Sequence, residues 1–151
     1  MRWSEIGGQR CSVARTLSVV GDRWTMLVLR EAFLRTRRFE DFLERTGAPR
    51  PVLADRLRGL VGDGILERRR YSERPPRDEY RLTEKGADLY PVLVSLLRWG
   101  DRWMADDLGP PVELRHKGCG ATMVPELACP ACGEWVTAWD VQATPTPAHD
   151  T

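Results

Sequence analysis

The sequence predicts a mainly α-helical protein with one small β-hairpin, followed by a small cysteine-bearing module. Three observations carry this. Apolar residues recur at helical spacing from Cys11 to Met104. Segments 65–71 and 78–82 alternate in part and flank Ser-Glu-Arg-Pro-Pro-Arg, which reads as strand, turn, strand. Beyond Gly109-Pro110-Pro111, two close-spaced pairs of nitrogen and sulfur donors lie between His116 and Cys132.

The elements follow in order. Cys11 to Val20 fits a short amphipathic helix with Val13, Leu17 and Val20 on one stripe, ended by Gly21. Asp22 can cap a second helix over about 23–35. Trp24, Leu27, Val28 and Ala32 form its inner face, and Leu29 and Phe33 widen it enough to place the helix at the centre of a domain. Phe39, Phe42 and Leu43 mark one face of a short third helix, broken by Gly47, Pro49 and Pro51. A fourth helix over about 50–62 buries Leu53, Leu57, Leu60 and Val61. Proline is tolerated in its first turn, where the missing N–H has no partner to lose. The two prolines of the hairpin turn are expected to stiffen it and stop strand pairing there. Thr83 opens a long last helix bearing Leu89, Leu93, Leu96, Gly100 and Trp103 on one stripe, which Pro91 should bend. So apolar a helix outside a small domain needs a partner: a second copy of the chain is the natural one, and packing against the first helix of the same chain is the alternative.

Helix, turn, arginine-rich helix and arginine-rich hairpin, in that order, is the plan of a winged helix-turn-helix, in which one helix enters the DNA major groove and the wing reaches the flanking backbone. The charge distribution agrees. Residues 1–22 have a net charge of +1, residues 23–82 carry 15 basic and 10 acidic side chains for a net of +5, and residues 83–151 have a net of −5. Positive charge thus gathers where a phosphate surface would sit, although the whole chain is only +1. The candidate DNA contacts are Arg38, Arg50, Asp55, Arg56 and Arg58 around the two helices, and Arg69, Ser72, Arg74 and Arg77 on the wing. No apolar run approaches the ~18 residues of a membrane span. The segment MRWSEIGGQR lacks a signal peptide's apolar core. A cytoplasmic protein with reduced thiols and no membrane partner is expected.

His116-x2-Cys119 and Cys129-x2-Cys132 are each followed by glycine. Four such donors in two turns suit a closed tetrahedral zinc site, and about thirty residues need a staple of this kind in place of a core. A metal-free module with ordinary thiols stays open, as does a thiol or zinc redox enzyme working through Cys129-Pro-Ala-Cys132. The βαβ setting of the latter chemistry is not visible, and a full ligand set argues against catalytic zinc. Cys11 stands apart, at a helix start beside Arg10, where a thiolate is favoured. It reads equally as a reactive thiol or as a small core residue.

These residues together resemble the HxlR family of bacterial winged helix-turn-helix repressors and activators, related to the MarR type. The resemblance runs from about Cys11 to Trp103. It rests on Cys11-Ser-Val-Ala, Gly21-Asp-Arg-Trp-Thr, Arg38-Phe-Glu-Asp-Phe, Val52-Leu-Ala-Asp-Arg-Leu, Tyr71-Ser-Glu-Arg-Pro-Pro-Arg, Tyr80-Arg-Leu-Thr-Glu-Lys-Gly and Trp99-Gly-Asp-Arg-Trp. It implies homodimers on inverted-repeat operators, and an oxidant- or electrophile-sensing role for the cysteine matching Cys11. A small-molecule effector is the other form of control expected. Pro51 departs from the pattern, because relatives often carry a polar residue early in the recognition helix; base reading then falls to Arg50, Asp55 and Arg56. The expected organisation is residues 1–108 for DNA binding and dimerisation, 112–141 for a zinc-ribbon-like module, and 142–151 for a disordered tail. An enzyme is not expected, because the two histidines, His116 and His149, leave no general base outside the donor set and the tail. A winged module that binds protein is the remaining alternative.

Overall fold

In a computed structural model, residues 3–144 are described. A 3₁₀ turn over Trp3–Gly8 precedes six α-helices and a hairpin: α1 Ser12–Val20, α2 Arg23–Phe33, α3 Phe39–Thr46, α4 Arg50–Gly62, β1 Leu66–Glu73, β2 Pro76–Leu82, α5 Glu84–Ala87 and α6 Tyr90–Trp103. The chain divides into two compact units on either side of Leu93 and Val94. The division falls inside α6, whereas the sequence places a boundary at Gly109-Pro110-Pro111.

In the first unit, helix α2 starts where Asp22 accepts hydrogen bonds from the N–H groups of Trp24 and Thr25 at 2.9 and 3.2 Å. Its inner residues Val28 and Leu29 meet Phe42 of α3, Leu53, Leu57 and Leu60 of α4, and Ile65 and Leu66, all buried. Gly47 turns α3 toward α4 in the left-handed conformation, φ 67°, which costs glycine nothing. The helix-turn-helix is therefore built around a shared core and presents the opposite face of α4 outward. Gly86 is required for another reason: a Cβ there would stand 2.2 Å from the Ile65 carbonyl oxygen, so α5 can pack on the start of β1 only without a side chain.

Three expectations are corrected. The single long last helix is two, because Pro91 can neither donate to residue 87 nor clear its carbonyl; α5 stops at Ala87 and α6 restarts at Tyr90. The hairpin turn is tighter than six residues. Pairing runs to Glu73 opposite Pro76, so only Arg74 and Pro75 cross over, and proline is accommodated because the edge of a two-stranded ribbon leaves one row of N–H groups unused. The stripe on α1 is buried only at its end: Val20 faces inward together with Ala14, while Val13 is 67% exposed and Leu17 38%.

The second unit is different. Residues 112–141 form two turns, each closed by an isolated bridge, Arg115 to Thr122 and Ala128 to Trp135. Residues 142–144 have no regular structure, and the rest of the expected disordered tail lies outside the described residues. No described helix is long and apolar enough to cross a membrane.

Candidate nucleic-acid interface

The outward face of α4 is set by its inward one. With Leu53, Leu57 and Leu60 buried, helical geometry turns Pro51, Asp55, Arg58 and Gly62 to solvent, and all four are exposed. Arg58 is the most open of the helix's arginines, its side chain 76% exposed, tied only to Asp55 at 3.3 Å. Arg50 makes two hydrogen bonds to Glu40 at 2.9 and 2.7 Å and lies over the Phe39 ring at 5.2 Å. It clamps the start of α4 to the start of α3. These bonds hold the Glu40 carboxyl below the usual range and raise the Arg50 guanidinium. Arg56 turns back toward α2: its Nε stands 3.0 Å from Asp22 and its Nη1 3.2 Å from Asp55. The Asp22 contact lacks hydrogen-bond alignment, leaving Nε buried without a partner, so it is an ion pair only.

The wing divides into a paired shaft and an open tip. On the shaft, Arg68 and Arg70 both hold Asp78, mainly through the Arg68 hydrogen bond, and this keeps the Asp78 carboxyl low. Arg69 reaches Glu67 at 2.5 Å. A bulge at Tyr71, between Arg70 and Ser72, re-aims the strand. The Tyr71 ring takes the Arg38 guanidinium at 5.0 Å, so the residue before α3 is anchored to the wing. At the tip, Arg74 and Arg77 are exposed and have no ion pair with any described residue.

Cys11 is the exposed residue preceding α1, in extended conformation and making no side-chain cap. The metal-type donors come together in pairs. His116 Nδ1 is 3.3 Å from Cys119 Sγ. At the other turn, the N–H groups of Cys132 and Ala131, with the Cys132 thiol, direct hydrogen bonds at Cys129 and pull its thiol below the ordinary cysteine range. The backbones match. Gly120 N–H meets the His116 carbonyl at 2.7 Å and Gly133 N–H the Cys129 carbonyl at 2.8 Å; His116 N–H meets Ala121 at 2.9 Å and Cys129 N–H meets Glu134 at 2.8 Å. Gly120 and Gly133 sit at φ 74° and 77°. Among the described residues, no set of three or more such donors is gathered where it could hold one metal ion.

Two features had no clear signal in the sequence. Glu31 is buried, bonded to Arg30 at 2.9 Å and to Thr36 at 3.3 Å, in a helix position that its residue type assigns to solvent. The ion pairs from Arg50 to Glu40 in α3 and from Arg56 to Asp22 at the cap of α2 join α4 to residues distant in sequence, which periodicity does not register.

The model of the HxlR-like helix-turn-helix family matches residues 19–108. An uncharacterised HTH-type transcriptional regulator of Mycobacterium tuberculosis is 49% identical over 136 residues, covering 90% of this chain and 86% of the relative. The crystal structure of PA1607, a candidate transcription factor, superposes with a TM-score of 0.82 at 33% identity, over 91% of this chain and 96% of that one. The reduced form of the redox regulator HypR gives 0.56 at 32% identity, over 61% of this chain and 92% of its own.

Proposed function

The chain belongs to the HxlR-like helix-turn-helix family and is a transcriptional regulator with a helix-turn-helix DNA-binding fold, and we propose that it acts in the cytoplasm as a homodimer on an inverted repeat. The observation that carries the DNA geometry is the division among the arginines. Arg58 alone stands open on the outer face of α4, Arg74 and Arg77 alone stand unpaired on the wing, and the shaft arginines are neutralised. Helix α4 enters the major groove, where Arg58 presents a planar fork to guanine and Asp55 orients it. The wing tip lies on the flanking backbone, with Ser72 beside it. Arg50 and Arg56 reach bases only by leaving Glu40 and Asp22, so their first role is to fix α4 against α3 and α2. Arg38 sits at the α3 start in reach of a phosphate.

The dimer reading is supported by apolar surface. On α6, Leu96, Trp99 and Trp103 are 53%, 59% and 65% exposed, a cost that a second copy would remove. Two-fold symmetry would then set the recognition helices about 34 Å apart, one turn of DNA. Control by oxidants through the exposed Cys11 is supported by the likeness to HypR, a redox regulator; a small-molecule effector is the other form of control. For residues 112–141 we propose structural zinc held by His116, Cys119, Cys129 and Cys132. Donor type and the two matching turns favour it, and the turns must close on one another to complete a tetrahedron.

The test is a gel shift of the full chain on duplex from its own upstream region and on a scrambled duplex, with light scattering on the same sample. Preferential retardation by a dimer is expected. No retardation at low salt would overturn the reading and leave the wing as a protein-binding surface.

A further inference from the structure

A second basic site lies at the base of the wing, on residues that the DNA geometry above does not use. Helix α2 ends in a reverse turn: the Arg35 N–H meets the Ala32 carbonyl and the Thr36 N–H meets the Glu31 carbonyl, both at 3.0 Å. Arg35 takes the left-handed position of this turn, φ 67°, the only non-glycine residue to do so among those described. Helices α3 and α4 end with glycine in the same conformation, Gly47 at 67° and Gly64 at 69°. Glycine is the usual occupant because a Cβ there crowds the neighbouring carbonyl. After α2, then, the chain keeps a guanidinium where the ends of α3 and α4 use no side chain at all.

That residue borders a hollow of about 270 Å³ lined also by Thr36, Arg37, Tyr80 and Arg81. The walls are tied together by a 2.8 Å hydrogen bond from the Tyr80 N–H to the Arg37 carbonyl. Arg81 is oriented by Glu79 at 2.6 Å, while neither Arg35 nor Arg37 pairs with a described carboxylate. The C-terminal end of α2 carries partial negative charge, so any attraction for an anion here comes from the arginines. We propose that this hollow binds a phosphate-type oxyanion, with Arg35 and Arg37 as its ligands and Arg81 completing the charge. Guanidinium forks match tetrahedral oxyanions in geometry as well as sign. The hollow is larger than a bare phosphate, so the group can belong to the DNA backbone or to a free phosphorylated molecule.

The experiment uses the full chain and inorganic phosphate, at constant ionic strength against chloride. Phosphate should raise Tm, because a ligand of the native state stabilises by mass action. Arg35→Gly relieves the turn, so this variant should melt higher than wild type without phosphate and yet need at least tenfold more phosphate for the same rise. Arg37→Gln should melt like wild type and lose the response equally. A wild-type protein indifferent to phosphate, or a response intact in both variants, overturns the proposal. The source follows from non-specific duplex binding across salt. If the phosphate is the backbone's, Arg37→Gln lowers the log–log salt slope by about 0.9; if it is free, the slope is unchanged. The proposal does not depend on the operator reading, since phosphate can stabilise a chain that retards no duplex.

Discussion

Between Phe42 and Leu66, six side chains are 2% exposed or less, namely Phe42, Leu53, Leu57, Leu60, Ile65 and Leu66. Between residues 112 and 141 not one described residue is buried. Both stretches hold a defined backbone, by different means. The winged unit is held by apolar side chains meeting from α2, α3, α4 and β1. The C-terminal stretch is held by backbone turns and by polar contacts such as Glu113 with Thr122 at 2.7 Å and Arg115 at 3.0 Å. A region without a core has little to resist opening unless a ligand supplies it, and this contrast can be broken or sharpened by experiment.

The largest effect is expected from metal removal. Structural zinc contributes roughly 10–16 kcal/mol in small zinc modules. If zinc closes the four-donor set, protein purified without added metal carries about one zinc per chain. A chelator, or Cys129→Ser, should then abolish hydrogen-exchange protection in residues 112–141 and leave protection in α2 and α4 intact. Absence of zinc in elemental analysis, with protection in 112–141 indifferent to chelator, would show that turns and polar contacts suffice.

Within the winged unit the decisive substitution is the smallest one. Gly86→Ala forces a methyl against the Ile65 carbonyl oxygen, 2.2 Å away, and must push α5 off the sheet. Overpacking of this kind costs about 1–3 kcal/mol, read as a lower denaturant midpoint. Val124→Ala in the C-terminal stretch, at a side chain 65% exposed, should stay within about 0.5 kcal/mol of wild type. Equal losses at both sites would erase the distinction between the two regions.

On DNA, the comparison becomes one between helix and wing. Arg58→Ala should cost ~1–3 kcal/mol on a cognate operator and little on a scrambled one, as expected for a base contact. Arg74→Ala should weaken both alike and reduce the log–log salt slope by about 0.9. The reverse pattern, measured by gel shift at several salt concentrations, would interchange the two roles. Arg56→Ala is a poorer probe, because it also removes the charge facing Asp22, the cap of α2.

The winged fold was legible in the sequence because its determinants are local. Asp22 precedes an apolar run, Gly47 and Pro51 punctuate two helical stripes, and arginine-rich strands flank a proline turn. What was not legible depends on pairing at a distance. Nothing in the spacing shows that Arg50 will meet Glu40 or that Arg56 will meet Asp22, since these contacts exist only once α3 and α2 pack beside α4. The exposure of Val13 and Leu17 is of the same kind: periodicity identifies a stripe but not what covers it. At Pro91 the spacing continues across a position where proline can neither donate to residue 87 nor clear its carbonyl, so the helix ends at Ala87 and restarts at Tyr90 instead of bending. In the C-terminal stretch the two matching turns were visible from the His-x2-Cys-Gly and Cys-x2-Cys-Gly spacing, whereas the spacing does not specify how the two turns lie relative to each other.

The smallest expected effect concerns acid, and it separates the regions by consequence. Glu40 in the winged unit is held low chiefly by its hydrogen bond from Arg50, and Glu113 in the C-terminal stretch chiefly by Thr122, then by Arg115. A carboxyl whose folded pKa is lowered adds stability that is present above its unfolded pKa and disappears as pH falls through the folded value. Both contributions should therefore persist at neutral pH and be lost below the ordinary glutamate range. Both groups lie in solvent, so each pair contributes little to global stability and is weakened by salt. Local structure should respond differently. Protonating Glu40 frees Arg50 while the buried leucines of α4 hold the helix in place, so amide shifts around Arg50 move and the rest of the unit does not. Protonating Glu113 releases Thr122 and Arg115 together, the two residues of one bridge, with no core behind them. An NMR acid titration should accordingly show resonance changes confined to a few residues near Glu40 but spread through 113–123, with Glu40→Gln and Glu113→Gln reproducing each pattern at neutral pH. Equally confined responses at both sites would mean that the C-terminal stretch is braced by something stronger than its polar contacts, for which the paired histidine and cysteine donors are the available means.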